Sequence, residues 1–433
     1  MYSKSRKQSI RFTFIMLAVI ILSVSAWGGT YASAAQQETK PYQIVALGDS
    51  LTAGYEHGFT EKSVPYGYVE QVYEQALFHG LRAEYVNYGI IGLKAEGLKL
   101  LLQAASEGRT VKPDEIQQQL QDPRKDVLLG QTAQMAKSIR SANLIVLTIG
   151  GNDLIPVMDK LASGASDEEV TKYIQDLLDQ YEKDLESSIR TIAGLNPTAQ
   201  IVIADQYLPI PAPVKIGNVT IPLYPEEDRL LLLDGVKKIR NKLDLISSRL
   251  AKDDIKLQIT SVSDLFVGHE LEYTSIANKD IHPNQLGYAV MGRAFANTIW
   301  GDYRTVRTRP ANVQMSVVVA GKELPAGAAP PVLRSNRSFV AMRDIVDALG
   351  AKLSWSNTSQ SASVTYNSHK VVFTIGSAYV TIDNKKVKLS TPPAFLLKSG
   401  KETKTYLPLA SLSEALGLQV IYRSTLQTAF INK

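Results

Sequence analysis

The chain has 433 residues, 45% of them apolar and 21% charged, and no cysteine. That length suits two or three domains with full hydrophobic cores, and the composition excludes wholesale disorder. The missing thiol excludes disulfides, a lipid-modified cysteine, thiol catalysis and thiolate metal sites.

The formal net charge is +5, but Lys4, Arg6, Lys7 and Arg11 supply four of those positives, and 5 − 4 leaves about +1 for the rest. Lys and Arg are otherwise scattered, with no basic, aromatic-interleaved stripe, so nucleic acid is not an expected partner. The basic start is followed by the apolar run from Phe12 to Trp27 and by Ala32-Ser33-Ala34. This pattern predicts a secretory signal peptide over residues 1–34, cut near Ala34 or Ala35, because its apolar core is short against the ~20 residues of a membrane span. The expected location is secreted, extracellular or at the surface of a bacterial cell.

From about residue 41 to 303, short Val- and Ile-rich runs alternate with amphipathic stretches. The runs are Tyr42–Leu47, Ala83–Tyr88, Leu144–Ile149, Gln200–Ala204 and Leu257–Val262. They are nearly continuous in apolar residues, as strands buried on both faces are. Glu227–Leu250 has the clearest helical spacing. Alternating strands and helices predict an α/β fold with a five-stranded parallel sheet, helices on both faces and functional groups at the carboxyl ends of the strands. The long polar segment Ala95–Gln134 interrupts this rhythm. It reads as a solvated surface helix, with a lid or substrate wall as the alternative.

Arg304–Ala311 is a polar, proline-containing linker by composition. Residues 312–433 carry an internal repeat: Phe339 to Trp355 aligns without a gap on Tyr406 to Tyr422, an offset of 67. Each copy predicts an aromatic residue, a short amphipathic helix, a capping glycine (Gly350, Gly417) and a strand. Val371–Ile375 and Tyr379–Ile382 predict strands between them. This is a separate α+β domain.

Four stretches fall at the carboxyl ends of predicted strands. Ser50, in Gly48-Asp49-Ser50-Leu51, stands where the first strand gives way to a helix. A lone serine there reads as an N-cap, yet the same place suits a nucleophile, because helix-start N–H groups face any oxyanion formed nearby. The G-x-S-x-G elbow is absent, since Leu51 is followed by Thr52. Asn87-Tyr88-Gly89-Ile90-Ile91-Gly92 follows the second strand and Gly150-Gly151-Asn152-Asp153 the third; both are turn chemistry that could also supply oxyanion donors.

Of five histidines, His57 lies in a loop near Ser50, His79 ends a helical pattern, His269 lies in a polar loop and His369 belongs to the second domain. His282 stands after the last strand, and Pro283 behind it fits the first helical position. A helix start there favours the neutral imidazole a general base requires.

These blocks resemble the SGNH, or GDSL, hydrolases over about residues 41–300: Gly48-Asp49-Ser50-Leu51, Asn87 to Gly92, Gly150-Gly151-Asn152-Asp153 and His282-Pro283. The resemblance implies a flavodoxin-like three-layer α/β/α fold and ester hydrolysis through an acyl-enzyme. It implies Ser50 as nucleophile, His282 as base, and an oxyanion hole of the Ser50 and Gly92 N–H groups with the Asn152 side chain. No metal or cofactor is implied.

One departure stands out. The family's last block reads D-x-x-H, and Lys279 occupies the acid's position here. Asp280 is the nearest acid, and residues 280 and 282 share a face if Ile281 is extended. Asp280 is therefore the expected third member, with a main-chain carbonyl as the alternative. The second domain resembles the copper amine oxidase N-terminal, stalk-type module, through Val340 to Arg343, Ala348-Leu349-Gly350, Trp355, Leu407-Pro408-Leu409 and Ala415-Leu416-Gly417. It implies no copper site, and a structural or cell-surface role. The expected partner is an ester substrate: a lipid, a small acyl ester or an acetylated glycan. The functions weighed are a secreted esterase or lipase, an O-deacetylase of cell-wall or extracellular polysaccharide, and a non-catalytic surface-binding protein.

Overall fold

The computed structural model describes residues 40–433 apart from Asn218, Asn312, Ala326 and Asn336. The expected signal peptide, residues 1–34, lies outside the described residues. Among those described, no helix is long and apolar enough to cross a membrane.

The strands β1 (Tyr42–Gly48), β2 (Ala83–Gly89), β3 (Leu144–Thr148) and β4 (Gln200–Ala204) come first. A small hairpin of β5 (Val214–Ile216) and β6 (Val219–Ile221) follows, then β7 (Leu257–Thr260). All but the hairpin form one parallel sheet in the order β2-β1-β3-β4-β7. The chain reverses direction across the sheet at β1, so a crevice opens between the carboxyl ends of β1 and β3.

α1 (Ser50–Ala53) is a single turn after β1, and α2 (Tyr68–Phe78) follows. After β2 come α3 (Ala95–Glu107), the short α4 (Pro113–Ile116) and α5 (Lys125–Leu129), and α6 (Thr132–Ser141). After β3 come α7 (Gly151–Ala162) and α8 (Asp167–Leu195), and α9 (Glu226–Leu250) precedes β7. α10 (Ser263–Phe266), α11 (Glu270–Tyr273) and α12 (Gln285–Trp300) follow it.

Side chains alternate across β1. Val45 and Leu47 join a core with α3, α6, α8 and α9, while Ile44 and Ala46 join one with α2 and α12. The result is the three-layer α/β/α arrangement. α8 illustrates how the sequence builds a layer. Ser166 and Glu169 form a capping box at its start, with three acids in the first turn. Val170, Ile174, Leu178, Leu185, Ile189 and Ile192 are then buried at helical spacing. Each such side chain contributes about 1.5–3 kcal/mol, so an acid at Leu178 would break the layer.

The segment Ala95–Gln134 opens not with a solvated surface helix but with a core-packed one. α3 buries Leu98, Leu101 and Leu102 against the core, and its partners include α8. Its polar residues gave the surface impression, but its apolar ones recur on one face.

Among the described residues, the second half begins with the strand Ser316–Val319 and holds three small sheets and two helices. The two repeat copies are each strand, helix, left-handed glycine and strand. Their first strands pair antiparallel, with Phe339 opposite Pro408, Val340 opposite Leu407 and Ala341 opposite Tyr406. Because the offset is 67, Val340 faces its own counterpart, and a local two-fold axis runs between them.

This β-rich domain has its own core but shares another with the hydrolase half. Val318 and Phe430 are buried among the residues of α2 and α12. Phe430 meets Phe78 edge-on at 4.8 Å, and the Asn432 side-chain NH₂ donates to the Leu77 and Leu81 carbonyls. Arg423 pairs with the buried Glu74 at 2.8 Å. The 304–311 stretch is held as well: the Arg304 N–H donates to Gln75, and the Arg309 guanidinium donates to the Leu426 carbonyl and to Gln427.

Candidate active site

β1 ends in Gly48, whose φ of +133° and distance to Thr148 admit no side chain: an added Cβ would lie 2.0 Å from the Thr148 carbonyl oxygen. That close approach lets the chain turn sharply into α1. The N-cap of α1 is Asp49, where the sequence reading had Ser50. Asp49 Oδ1 accepts from the Leu51 N–H and from Thr148 Oγ1, leaving Ser50 as the first helical residue with its N–H unused by the helix. Burial pushes the Asp49 carboxyl up to about 7, against the hydrogen bonds from Thr148 and the backbone. Thr52 completes the support, with its hydroxyl within 2.8 Å of Tyr68 Oη and 2.7 Å of Thr148 Oγ1.

His282 reaches this point from the loop before α12. Asn284 caps that helix, so Pro283 lies outside it and instead bridges Thr274. His282 Nε2 is 2.8 Å from Ser50 Oγ, and His282 Nδ1 is 2.6 Å from Asp280 Oδ1. An ionised carboxylate only accepts, so Nδ1 carries the proton, and Nε2 of the neutral ring accepts from the Ser50 hydroxyl. Asp280 Oδ1 also accepts from the His282 N–H at 3.0 Å. Lys279, at the position where the resemblance expects an acid, has a left-handed φ of 61°. It turns the chain and leaves the partnership to Asp280.

Burial lowers the His282 pKa, with Asp280 opposing, and the net shift is below its usual 6.5. Burial raises the Asp280 carboxyl, but hydrogen bonds from the His282 N–H and ring, and from His57, outweigh it and hold it below its usual range. The Tyr55 ring covers the imidazole, with centroids 4.2 Å apart.

The other expected oxyanion donors follow two further strand ends, and of the two only Asn152 lines the cleft with Ser50. Gly92 sits after β2 with φ +80°, a left-handed position with open space where a Cβ would project. Its N–H makes no hydrogen bond to the protein among the described residues. Asn152, in the first turn of α7, donates from Nδ2 to the Leu93 carbonyl at 3.0 Å. That bond ties it beside Gly92 and orients its amide, while the second N–H of the group remains for a ligand. Asn152 and Ser50 line the same cleft as His282.

Sequence reasoning missed what braces the Gly89–Lys94 loop, which is the Ala95–Gln134 segment. Gln117 bonds the Gly92 carbonyl and the Lys94 N–H, Asp122 accepts from the Ile91 N–H, and Arg124 donates to the Gly89 carbonyl. It also missed the wall of the cleft. The space beside Ser50 measures about 170 Å³ and is bounded by apolar side chains, among them Ile155 and Met158 of α7, Leu208, and Leu232 and Val236 of α9. No local signal marks α9, 180 residues from Ser50, as part of the site. Among the described residues, no group of three or more His, Asp or Glu side chains is arranged to hold a metal ion.

Residues 44–295, more than half of the chain, match the family described as GDSL-like lipase/acylhydrolase. Residues 318–431 match the copper amine oxidase N-terminal domain. An uncharacterised protein of Bacillus subtilis (strain 168), YpmR, is 23% identical over 294 residues, covering 67% of this chain and 94% of that one. Among solved structures, the lipase Lip_vut3 from a goat rumen metagenome is 17% identical with a TM-score of 0.41, covering 61% of this chain and 100% of its own. An acetyl xylan esterase from Geobacillus stearothermophilus is 19% identical with a TM-score of 0.34, covering 62% and 97%.

Proposed function

We propose that this chain, which belongs to the GDSL-like lipase/acylhydrolase family and is a carboxylic ester hydrolase, works through an acyl-enzyme on Ser50. The observation that carries this reading is the line from Ser50 Oγ through the two nitrogens of His282 to Asp280, with links of 2.8 and 2.6 Å. Ser50 Oγ attacks the ester carbonyl while His282 Nε2 takes its proton. Asp280 orients the ring and stabilises the imidazolium. The Ser50 and Gly92 N–H groups and the Asn152 amide receive the oxyanion. The imidazolium then protonates the leaving alcohol. Water attacks the acyl-serine with His282 again as base, releasing the acid and restoring Ser50.

The cleft favours an acyl group longer than acetyl. Its walls are apolar and its volume is about 170 Å³. An apolar cavity of about 150 Å³ holds benzene, so this space suits a chain of roughly six carbons. Each buried methylene contributes about 0.8 kcal/mol, and hexanoyl exceeds acetyl by four, so kcat/KM should favour hexanoyl by on the order of 10². The test is a p-nitrophenyl ester series from acetate to palmitate with wild type and Ser50→Ala. A preference for acetate would favour the O-deacetylase. A wild type no more active than Ser50→Ala would leave only a binding role. The reading also has the enzyme exported, supported by the pattern of residues 1–34, and held at the cell surface by its second domain, supported by the resemblance of that domain to a stalk-type module. Fractionation of cells expressing the full chain tests this, and a wholly cytoplasmic pool would overturn it.

A further inference from the structure

The departure at Lys279 has a structural counterpart on the far side of the carboxylate. Asp280 turns Oδ1 to the His282 ring and N–H, only two residues away. Its other oxygen, Oδ2, is 3.2 Å from His57 Nδ1. Among the described residues, no side chain other than these two histidines hydrogen-bonds this carboxylate.

His57 belongs to the loop that leaves α1, and that loop is anchored at several points. The Tyr55 carbonyl accepts from Tyr288 Oη at 2.6 Å. The Tyr55 ring lies against both His282 and Phe59, and Arg124 lies over the Phe59 ring at 5.0 Å. One loop therefore covers the face of the imidazole and holds the back of its acid.

We infer that His57 is a positioning residue that fixes the rotation of the Asp280 carboxylate, so that Oδ1 stays on His282 Nδ1. The physical need is specific to this spacing. A carboxylate two residues from its partner has a short tether, and the bond to the His282 N–H pulls Oδ1 toward the backbone as well as toward the ring. A donor on Oδ2 resists twisting about the terminal side-chain torsion, which is otherwise soft. His57 is 63% exposed, so the contact adds little to stability. Its effect lies in geometry, where a small misplacement of a catalytic group lowers the rate.

This inference rests on the acyl-enzyme reading, and the experiment separates the two. Ester hydrolysis is measured for wild type, Ser50→Ala, His57→Ala, His57→Asn, Asp280→Asn and the double variant His57→Ala/Asp280→Asn. Asparagine places an N–H donor about where histidine Nδ1 stands, so it should restore most of what alanine loses. The expected result is Ser50-dependent activity, with His57→Ala lowering kcat about tenfold while KM changes less than twofold. In the Asp280→Asn background, His57→Ala should have no further effect, because the group it positions is gone. The inference falls if His57→Ala costs less than twofold in kcat, if His57→Asn loses as much as His57→Ala, or if the loss persists in the Asp280→Asn background. Any of these leaves the nucleophile reading intact. An absence of Ser50-dependent hydrolysis in wild type overturns both.

Discussion

In the hydrolase half every strand of the main sheet points the same way, so the loops after β1, β2 and β3 lie on one edge, where Ser50 and Asn152 line one cleft. In the second half most strands pair antiparallel, and several are joined by tight turns. Asp383 and Asn384, both with positive φ, make a two-residue hairpin turn between Tyr379–Ile382 and Lys385–Lys388. The burial of acids follows the same division. Asp49, Glu70, Glu74, Asp122, Asp184, Asp205 and Glu270 are buried, all in the hydrolase half, whereas the second half buries only neutral polar residues among those described. A buried acid needs donors to satisfy it. Converging loops and helix starts provide them, as the Leu51 N–H and Thr148 do for Asp49. Parallel topology thus concentrates polar chemistry at one edge, and antiparallel topology spends it in local turns.

The contrast can be tested by asking which half controls turnover. Asp280→Asn should have the largest effect here, lowering kcat by about 10²–10⁴ with the fold intact. It should also move the acid limb of the kcat/KM profile. His282 must be neutral to accept the proton, and its pKa is already lowered from 6.5, so wild-type activity should fall only below that pH. Asp280 opposes that lowering, so its neutralisation should move the limb to still lower pH. A limb that rises or stays would break the assignment.

Asn152→Ala should cost about 10² in kcat with a small change in KM, as loss of one oxyanion donor does. A change in KM alone would make Asn152 a substrate contact only. Arg423→Ala should have the smallest effect on turnover, less than twofold at temperatures where the protein is folded. It leaves Glu74, whose side chain is 4% exposed, without its cation, and should cost about 3 kcal/mol of stability, read as a lower thermal midpoint. An equal loss of kcat would show that the second half shapes the site through α2.

Much of the site was readable because its pieces are local. Ser50, Asn152 and His282 each sit at a strand end with recognisable turn chemistry, and the period of two along extended backbone already pointed Asp280 at His282. The repeat was readable for the same reason, being two copies of one local unit. What escaped was non-local. The capping role moved from Ser50 to Asp49 because Thr148, from β3, supplies a second donor to that carboxylate. The polar content of Ala95–Gln134 hid its work, since Gln117, Asp122 and Arg124 are satisfied by backbone groups of the Gly89–Lys94 loop.

The sequence by itself determined the strand–helix alternation, the residues placed at the ends of the strands and the internal repeat, because each depends on neighbours a few positions apart. Tertiary structure alone decided the order β2-β1-β3-β4-β7, the apolar wall lent by α9, the hold of His57 on Asp280 and the shared core around Phe430. Those are contacts between segments separated by about forty residues at the least, and by more than two hundred for His57 and Asp280. They are set by which apolar faces pack together and which buried polar groups find partners, and no local pattern encodes that choice.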